Sequence, residues 1–325
     1  MSAIEARDLT KTYGKGVRAL DGLSFSASAG AVFALLGPNG AGKSTTIKIL
    51  TTLSRPDSGE ARVAGIDVLA DPARVRRAIG VVSQKPSFDP AATGRENLVL
   101  QGQIYDVTGR RLKQRVSALL ERFGLSEAAN RAARHYSGGM QRRLDIALGL
   151  LHEPEVLFLD EPTTGLDPEA RAEMWKEIGR LTEQERLTIL LTTHYLEEAD
   201  ELAAQLAIVD RGRIVAAGTP DELKRSLQGD SLQVELAEVP ADGDVRRAIE
   251  AVPGLSEVAF EGRQVRARAR DGATAMPSLM AALHDSGQAV TKLSLSRPSL
   301  DDVYLRVAGR VFSEADSEPA GETAA

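Results

Sequence analysis

Cysteine is absent from all 325 residues, which excludes disulfides and thiolate metal centres and suits a reducing compartment. Long apolar runs are missing too, and none approaches the ~20 residues that a membrane helix needs. The opening residues Met1-Ser2-Ala3-Ile4-Glu5-Ala6-Arg7-Asp8 lack the apolar core of a secretory leader. The expectation is a chain that stays in the cytoplasm and cannot itself cross a membrane. An excess of positive charge is also lacking. At a net charge of −6, no broad attraction to nucleic acid arises and no nucleic-acid partner is expected. Short internal repeats are absent. An apolar share of 42% with 26% charged residues fits a globular protein, and the length allows two domains.

The most informative feature present is Gly37-Pro38-Asn39-Gly40-Ala41-Gly42-Lys43-Ser44-Thr45, which fits G-x-x-x-x-G-K-[ST]. It lies between an apolar run, Ala31–Leu36, that reads as a buried strand and a run, Ser44–Leu50, with helical spacing. The glycines let successive backbone N–H groups turn toward phosphate oxygens, and the helix N-terminus behind them adds partial positive charge. Lys43 is expected to reach the β- and γ-phosphates and Ser44 to help hold Mg²⁺. A glycine-rich turn that merely caps a helix is the plain alternative, and the strand-loop-helix context argues against it. A nucleoside triphosphate is the expected ligand.

Val156-Leu157-Phe158-Leu159-Asp160-Glu161 is an apolar strand ending in two carboxylates, at the end where α/β sheets present ligands. Asp160 is expected to assist Mg²⁺. Glu161, one residue further, should point the other way, toward an attacking water. Helix capping is the alternative for such acids, and the phosphate loop weighs against it. Tyr136-Ser137-Gly138-Gly139-Met140-Gln141 precedes an amphipathic run and offers a second anion-binding helix N-terminus, although Ser-Gly-Gly is also simple loop chemistry.

With these motifs in this order, the chain resembles the ATP-binding cassette (ABC) ATPases over about residues 4 to 228. Gln84 matches the family's glutamine loop, Ser137–Gln141 its signature, Gly165-Leu166-Asp167 its D-loop and His194 its switch histidine. The signature departs from the usual Leu-Ser-Gly-Gly-Gln, since Tyr136 and Met140 flank Ser137-Gly138-Gly139. The resemblance implies an α/β P-loop NTPase core with a helical subdomain at about 85–150. It also implies ATP and Mg²⁺ as cofactors, and ATP hydrolysis. A second copy of the chain would form an ATP-sandwich dimer, each phosphate loop facing the other copy's Ser137, Gly138 and Gly139. Tyr13 would stack on adenine, against the alternative of a buried strand aromatic. Gln84 would connect metal and water to the helical subdomain, His194 would sense the γ-phosphate, and Asp167 would support the dimer contact.

Further stretches resemble the daunorubicin-resistance type of bacterial export ATPase. They are Asp89–Leu98, Tyr136–Ala147, Thr192–Asp200 and Ser299-Leu300-Asp301-Asp302-Val303-Tyr304-Leu305. This implies a peripheral subunit at the cytoplasmic face of the cell membrane, partnered by an integral-membrane ABC-2-type permease that exports a drug or another hydrophobic molecule. Polysaccharide or lipid export, and a soluble non-transport ATPase, are the alternatives. Composition shifts near Gly229-Asp230, so domains are expected at 1–229 and 230–310. The second domain reads β-α-β-β-α-β, a small ferredoxin-like α+β fold with an assembly or regulatory role. Ser299 and Asp302 read as a capping pattern for a terminal helix whose apolar stripe could dock on its own sheet or on a second subunit. Arg263, Arg266, Arg268 and Arg270 alternate along one strand and read as a solvated face. Residues 311–325 are acidic, have nothing to bury, and are expected to be disordered.

Overall fold

Runs of Val, Ile, Leu and Phe that leave no polar face set the centre of the molecule, because such strands are stable only with both sheet faces covered. The computed structural model describes residues 2–227, 229–239, 243–310 and 312. They divide into two units between Thr219 and Pro220.

The first unit opens with β1 (Ser2–Tyr13), β2 (Val17–Ser28) and β3 (Val32–Leu36), then α1 (Lys43–Leu50). It continues through β4 (Ser58–Val63), β5 (Ile66–Asp67), α2 (Pro72–Ala78) and β6 (Ile79–Val82). Three helices follow: α3 (Gly94–Ile104), α4 (Gly109–Arg122) and α5 (Gly138–Leu150), within the stretch expected to be helical. The unit closes with β7 (Val156–Asp160), α6 (Pro168–Glu185), β8 (Thr188–Thr193), α7 (Leu196–Leu202), β9 (Gln205–Asp210) and β10 (Arg213–Gly218). One sheet runs β10-β9-β3-β8-β7-β6, parallel except for β10. The other runs β2-β1-β4-β5 and is antiparallel.

A single apolar cluster joins the two sheets and α1, with Leu9, Leu20, Leu35, Ile47, Phe158 and Leu190 among its members. Phe158 is wholly buried, so truncating it to alanine should cost about 3–5 kcal/mol. Helix starts follow local chemistry. Asp71 caps α2 ahead of Pro72, and Thr93 with Glu96 closes a capping box on α3. What the topology does for function is simple. The carboxyl ends of the adjacent strands β3, β8 and β7 emerge side by side, where open α/β sheets hold ligands.

The second unit holds α8 (Pro220–Ser226), β11 (Asp230–Leu236), α9 (Gly243–Glu250), β12 (Leu255–Glu261), β13 (Gln264–Ala269), α10 (Gly272–Asp285), β14 (Val290–Ser296) and α11 (Leu300–Ala308). Its antiparallel sheet has the order β12-β13-β11-β14, the ferredoxin-like arrangement of a β-α-β-β-α-β chain. The unit begins at Pro220, ten residues before the compositional shift, because α8 packs with α11. Ser299 and Asp302 do form a capping box on α11.

The arginine strand is a correction. Arg268 is buried and Arg266 half-buried, since α11 covers their face of the sheet. Arg266 pairs with Asp301, and the Ser231 hydroxyl donates to Asp302 Oδ1 at 3.0 Å. Arg263 and Arg270 lie just outside β13 and are exposed as expected, with Arg263 at the opposite parity to Arg266 and Arg268. Alternation says nothing of what covers a face. The stripe on α11 is covered within its own unit, where α11 packs with α8: Leu300, Val303 and Tyr304 are buried and Val307 is exposed. The expectation for the acidic tail falls outside the described residues, apart from Phe312, which packs edge-on against Tyr304.

Candidate functional site

The phosphate loop leaves β3 through backbone that only glycine accommodates well. Gly40 and Gly42 have φ of 78° and 111°, and a Cβ on Gly37 would lie 2.2 Å from the Val209 carbonyl oxygen. Gly42 caps α1, so Lys43 is the first helical residue and Ser44 and Thr45 follow half-exposed. Pro38 and Ala41 are buried, while Asn39 and Gly40 face outward. Lys43 is almost wholly buried. Its ammonium donates to the carbonyls of Gly37 at 2.5 Å and Pro38 at 3.1 Å, curling over the loop it is expected to serve.

Across from the loop, Asp160 ends β7 and Glu161 follows it. Asp160 Oδ1 accepts from the Ser44 hydroxyl at 3.3 Å and the Thr192 hydroxyl at 2.6 Å. Ser44 and Asp160 thus present hard oxygens to one place. That donor set fits Mg²⁺, which takes one or two protein oxygens and completes its shell with phosphates and water. Among the described residues no group of three or more His, Cys, Asp or Glu could hold a metal alone.

Glu161 and Asp160 take different partners, and strand alternation is not the cause. The Glu161 φ of 49° is left-handed, and this turn swings the carboxylate to Lys43 and His194. Glu161 Oε1 lies 3.7 Å from Lys43 Nζ, and Oε2 lies 3.4 Å from His194 Nδ1. Oε2 also accepts from the Thr164 hydroxyl at 3.2 Å. Burial pushes the Glu161 carboxyl up, but His194 and Lys43 outweigh it and hold the group below the usual carboxylate range. The result is an ionised carboxylate in a nearly dry site, able to polarise water.

Lys43, Ser44, Asp160, Glu161 and His194 therefore form one cluster. The expected residues beyond the phosphate loop make other contacts. Tyr13 ends β1, is 40% exposed and has Lys11 Nζ 5.7 Å from its ring centroid, so it is not the buried strand aromatic. Gln84 is exposed just beyond β6. Ser137 caps α5 by accepting from Met140 N at 3.3 Å, placing Gly138 and Gly139 in the helix's first turn. Asp167 caps α6, accepting from Ala170 N at 2.8 Å. Tyr136, the departure in the signature, is buried against Gly94, and its hydroxyl donates to the Ala128 carbonyl at 2.7 Å.

Sequence reading missed residues that hold these parts in place. Thr192 fixes Asp160, and its hydroxyl and carbonyl both accept from Glu161 N. Arg142 on α5 donates to the carbonyls of Ser83 at 2.7 Å, Asp160 at 3.1 Å and Pro162 at 2.7 Å. One turn on, Asp145 Oδ1 accepts from the N–H and hydroxyl of Ser87. Burial pushes the Asp145 carboxyl up. The loop carrying Gln84 thus hangs from the signature helix at both ends. The Thr192-Thr193 pair beside His194 was the one available signal. Arg142 gave none, because its partners are backbone carbonyls distant in sequence.

The ABC transporter family matches residues 20–164, and the C-terminal domain of DrrA1-3-like ATP-binding proteins matches residues 218–308. The chain is 42% identical to the daunorubicin resistance ATP-binding protein DrrA2 of Streptomyces coeruleorubidus, over 98% of each chain. It is 44% identical to the daunorubicin/doxorubicin resistance ATP-binding protein DrrA of Streptomyces peucetius, over 98% of this chain and 96% of that one. An ATP-binding cassette solved as a post-hydrolysis dimer with ADP and phosphate superposes with a TM-score of 0.61 at 26% identity. That match covers 66% of this chain and 98% of the other. The chain belongs to the ABC transporter family, as an ATP-hydrolysing subunit of the DrrA-like group.

Proposed function

We propose that this subunit powers efflux of a hydrophobic drug through a separate integral-membrane permease of the ABC-2 type, from the cytoplasmic face of the cell membrane. The observation that carries this reading is the near full-length match to drug-resistance subunits, C-terminal unit included. No helix among the described residues is long and apolar enough to cross a membrane, and in this reading the permease supplies the channel.

Within the site, the amides of Gly37 to Thr45 and Lys43 bind the phosphates, Tyr13 stacks on adenine, and Ser44, Asp160 and Gln84 would hold Mg²⁺. The ion would neutralise charge on the β- and γ-oxygens. Glu161 polarises the attacking water and His194 senses the γ-phosphate. The dimeric solved relative supports a sandwich with a second copy, whose Ser137, Gly138 and Gly139 complete the site and whose Asp167 supports the contact. Little covalent work falls to the protein, so the rate comes from positioning and electrostatics. The C-terminal unit serves assembly or regulation.

The test is co-expression with the membrane protein of the neighbouring reading frame. ATP-dependent accumulation of a fluorescent anthracycline in inverted vesicles is expected, and its loss on Lys43→Ala. Vesicles that hydrolyse ATP normally and accumulate no drug would contradict the cargo.

A further inference from the structure

The helix that starts at Asp167 presents two side chains, one turn apart, to the segment carrying the histidine. Arg171 and Trp175 on α6 stand at i and i+4, so they share a face. The Arg171 guanidinium carbon lies 4.5 Å from the centre of the Tyr195 ring, a cation over an aromatic face. The Tyr195 ring packs in turn on His194, with centroids 4.1 Å apart and planes inclined at 43°. One turn further along α6, Trp175 Nε1 donates to Glu198 Oε1 at 3.0 Å. The same oxygen accepts from the Thr163 hydroxyl at 2.8 Å, two residues beyond Glu161.

Glu198 is fully buried on α7, and its Oε2 has no hydrogen-bond partner among the described residues. A buried carboxylate with one oxygen unmatched is a poor way to stabilise a core, since an apolar residue of similar volume would serve as well or better. What it achieves is a fixed meeting point. The loop after Glu161, the helix after Asp167 and the helix after His194 all converge on it.

We infer that Arg171, Trp175 and Glu198 are positioning residues that set the approach of His194 to Glu161, so that movement at the Asp167 end of α6 reaches the histidine. This rests on the reading of Glu161 and His194 given above. Arg171 and Tyr195 orient the imidazole from one side. Trp175, Glu198 and Thr163 hold α7 against the loop that follows the catalytic carboxylate. None of these contacts is made by the phosphate loop, so the loss falls on the rate of the chemical step far more than on nucleotide affinity.

Trp175 is the only tryptophan in the chain, so its emission reports this contact directly. The full chain is titrated with MgATP while bound nucleotide is measured by filter retention. Emission should shift on saturation in the wild type and in Glu161→Gln, and should stay still in Glu198→Gln at matched occupancy. In steady-state assays, Arg171→Gln should lower kcat about tenfold with KM for ATP within about twofold, and Arg171→Lys should recover most of the loss. Added to His194→Ala, Arg171→Gln should have no further effect, because the two lesions act through one imidazole. The proposal is overturned by wild-type kcat in Arg171→Gln, by equal slowing in the His194→Ala background, or by unchanged Trp175 emission in wild type at saturating nucleotide. Failure of the site reading alone looks different: Glu161→Gln turns over normally while the emission shift and the Arg171 effect persist.

Discussion

Lys43 and Glu161 face each other 3.7 Å apart with side chains only 4% and 6% exposed. A buried ion pair is weak evidence for stability, because desolvation offsets much of the attraction. Its place at the ends of three parallel strands points to chemistry instead. The lysine donates to its own loop's carbonyls, and in the proposed function it binds phosphate oxygens. Glu161 would then keep its charge for water.

The pair makes a prediction about acid. The folded-state pKa of Glu161 lies below its unfolded value, so its ionised form stabilises the fold above about pH 4.3. That contribution is lost as pH falls through the lowered folded-state value. Urea midpoints of the wild type and Glu161→Gln should therefore differ at pH 7 and draw together below pH ~4. A gap that widens on acidification would show that Lys43 and His194 do not hold the carboxylate ionised.

Gly139→Asp should leave each subunit folded and able to bind ATP, yet remove turnover. A Cβ at Gly139 meets only Ala170 Cβ at 3.4 Å, so the new side chain has room in its own subunit. Its charge would face the γ-phosphate across the dimer, in a gap where like charges repel strongly. Mixing Gly139→Asp with Lys43→Ala protein gathers both lesions into one composite site and should restore part of the activity through the other. Full ATPase activity in Gly139→Asp alone would end the composite-site account.

Chain length offers a third test. Ending the protein at Thr219 should yield a monodisperse cassette that binds ATP, since the second unit begins at Pro220. Ending it at Gly229 retains α8 without α11, leaving Leu223 and Leu227 unsheltered, and should lower solubility. Both should lose co-purification with the membrane partner. Normal assembly of the 1–219 chain would remove any assembly role from the C-terminal unit.

How much was legible depended on whether the cause was local. The phosphate loop was readable because its glycines and Lys43 act through a short backbone turn. The β-α-β-β-α-β order and the Ser299–Asp302 cap were likewise written in periodicity and neighbours. The backbone turn that aims Glu161 at Lys43 and His194 was not legible. A left-handed turn lies past the last strand residue, where alternation stops applying. Arg266 and Arg268 were misread because period two names a face and not what covers it. Arg142 stayed invisible, since a guanidinium bound to three backbone carbonyls leaves no pattern in the side chains it serves.

Phosphate release by Glu161→Gln tests the central claim most directly. The amide preserves shape but cannot polarise water as the carboxylate does, and general-base catalysis contributes about 10²–10⁴-fold. MgATP binding measured by filter retention should be unchanged, ATP-bound dimers should accumulate on gel filtration, and turnover should fall at least about a hundredfold. Turnover within about twofold of wild type at normal nucleotide occupancy would contradict the assignment of Glu161 and, with it, the account of this site.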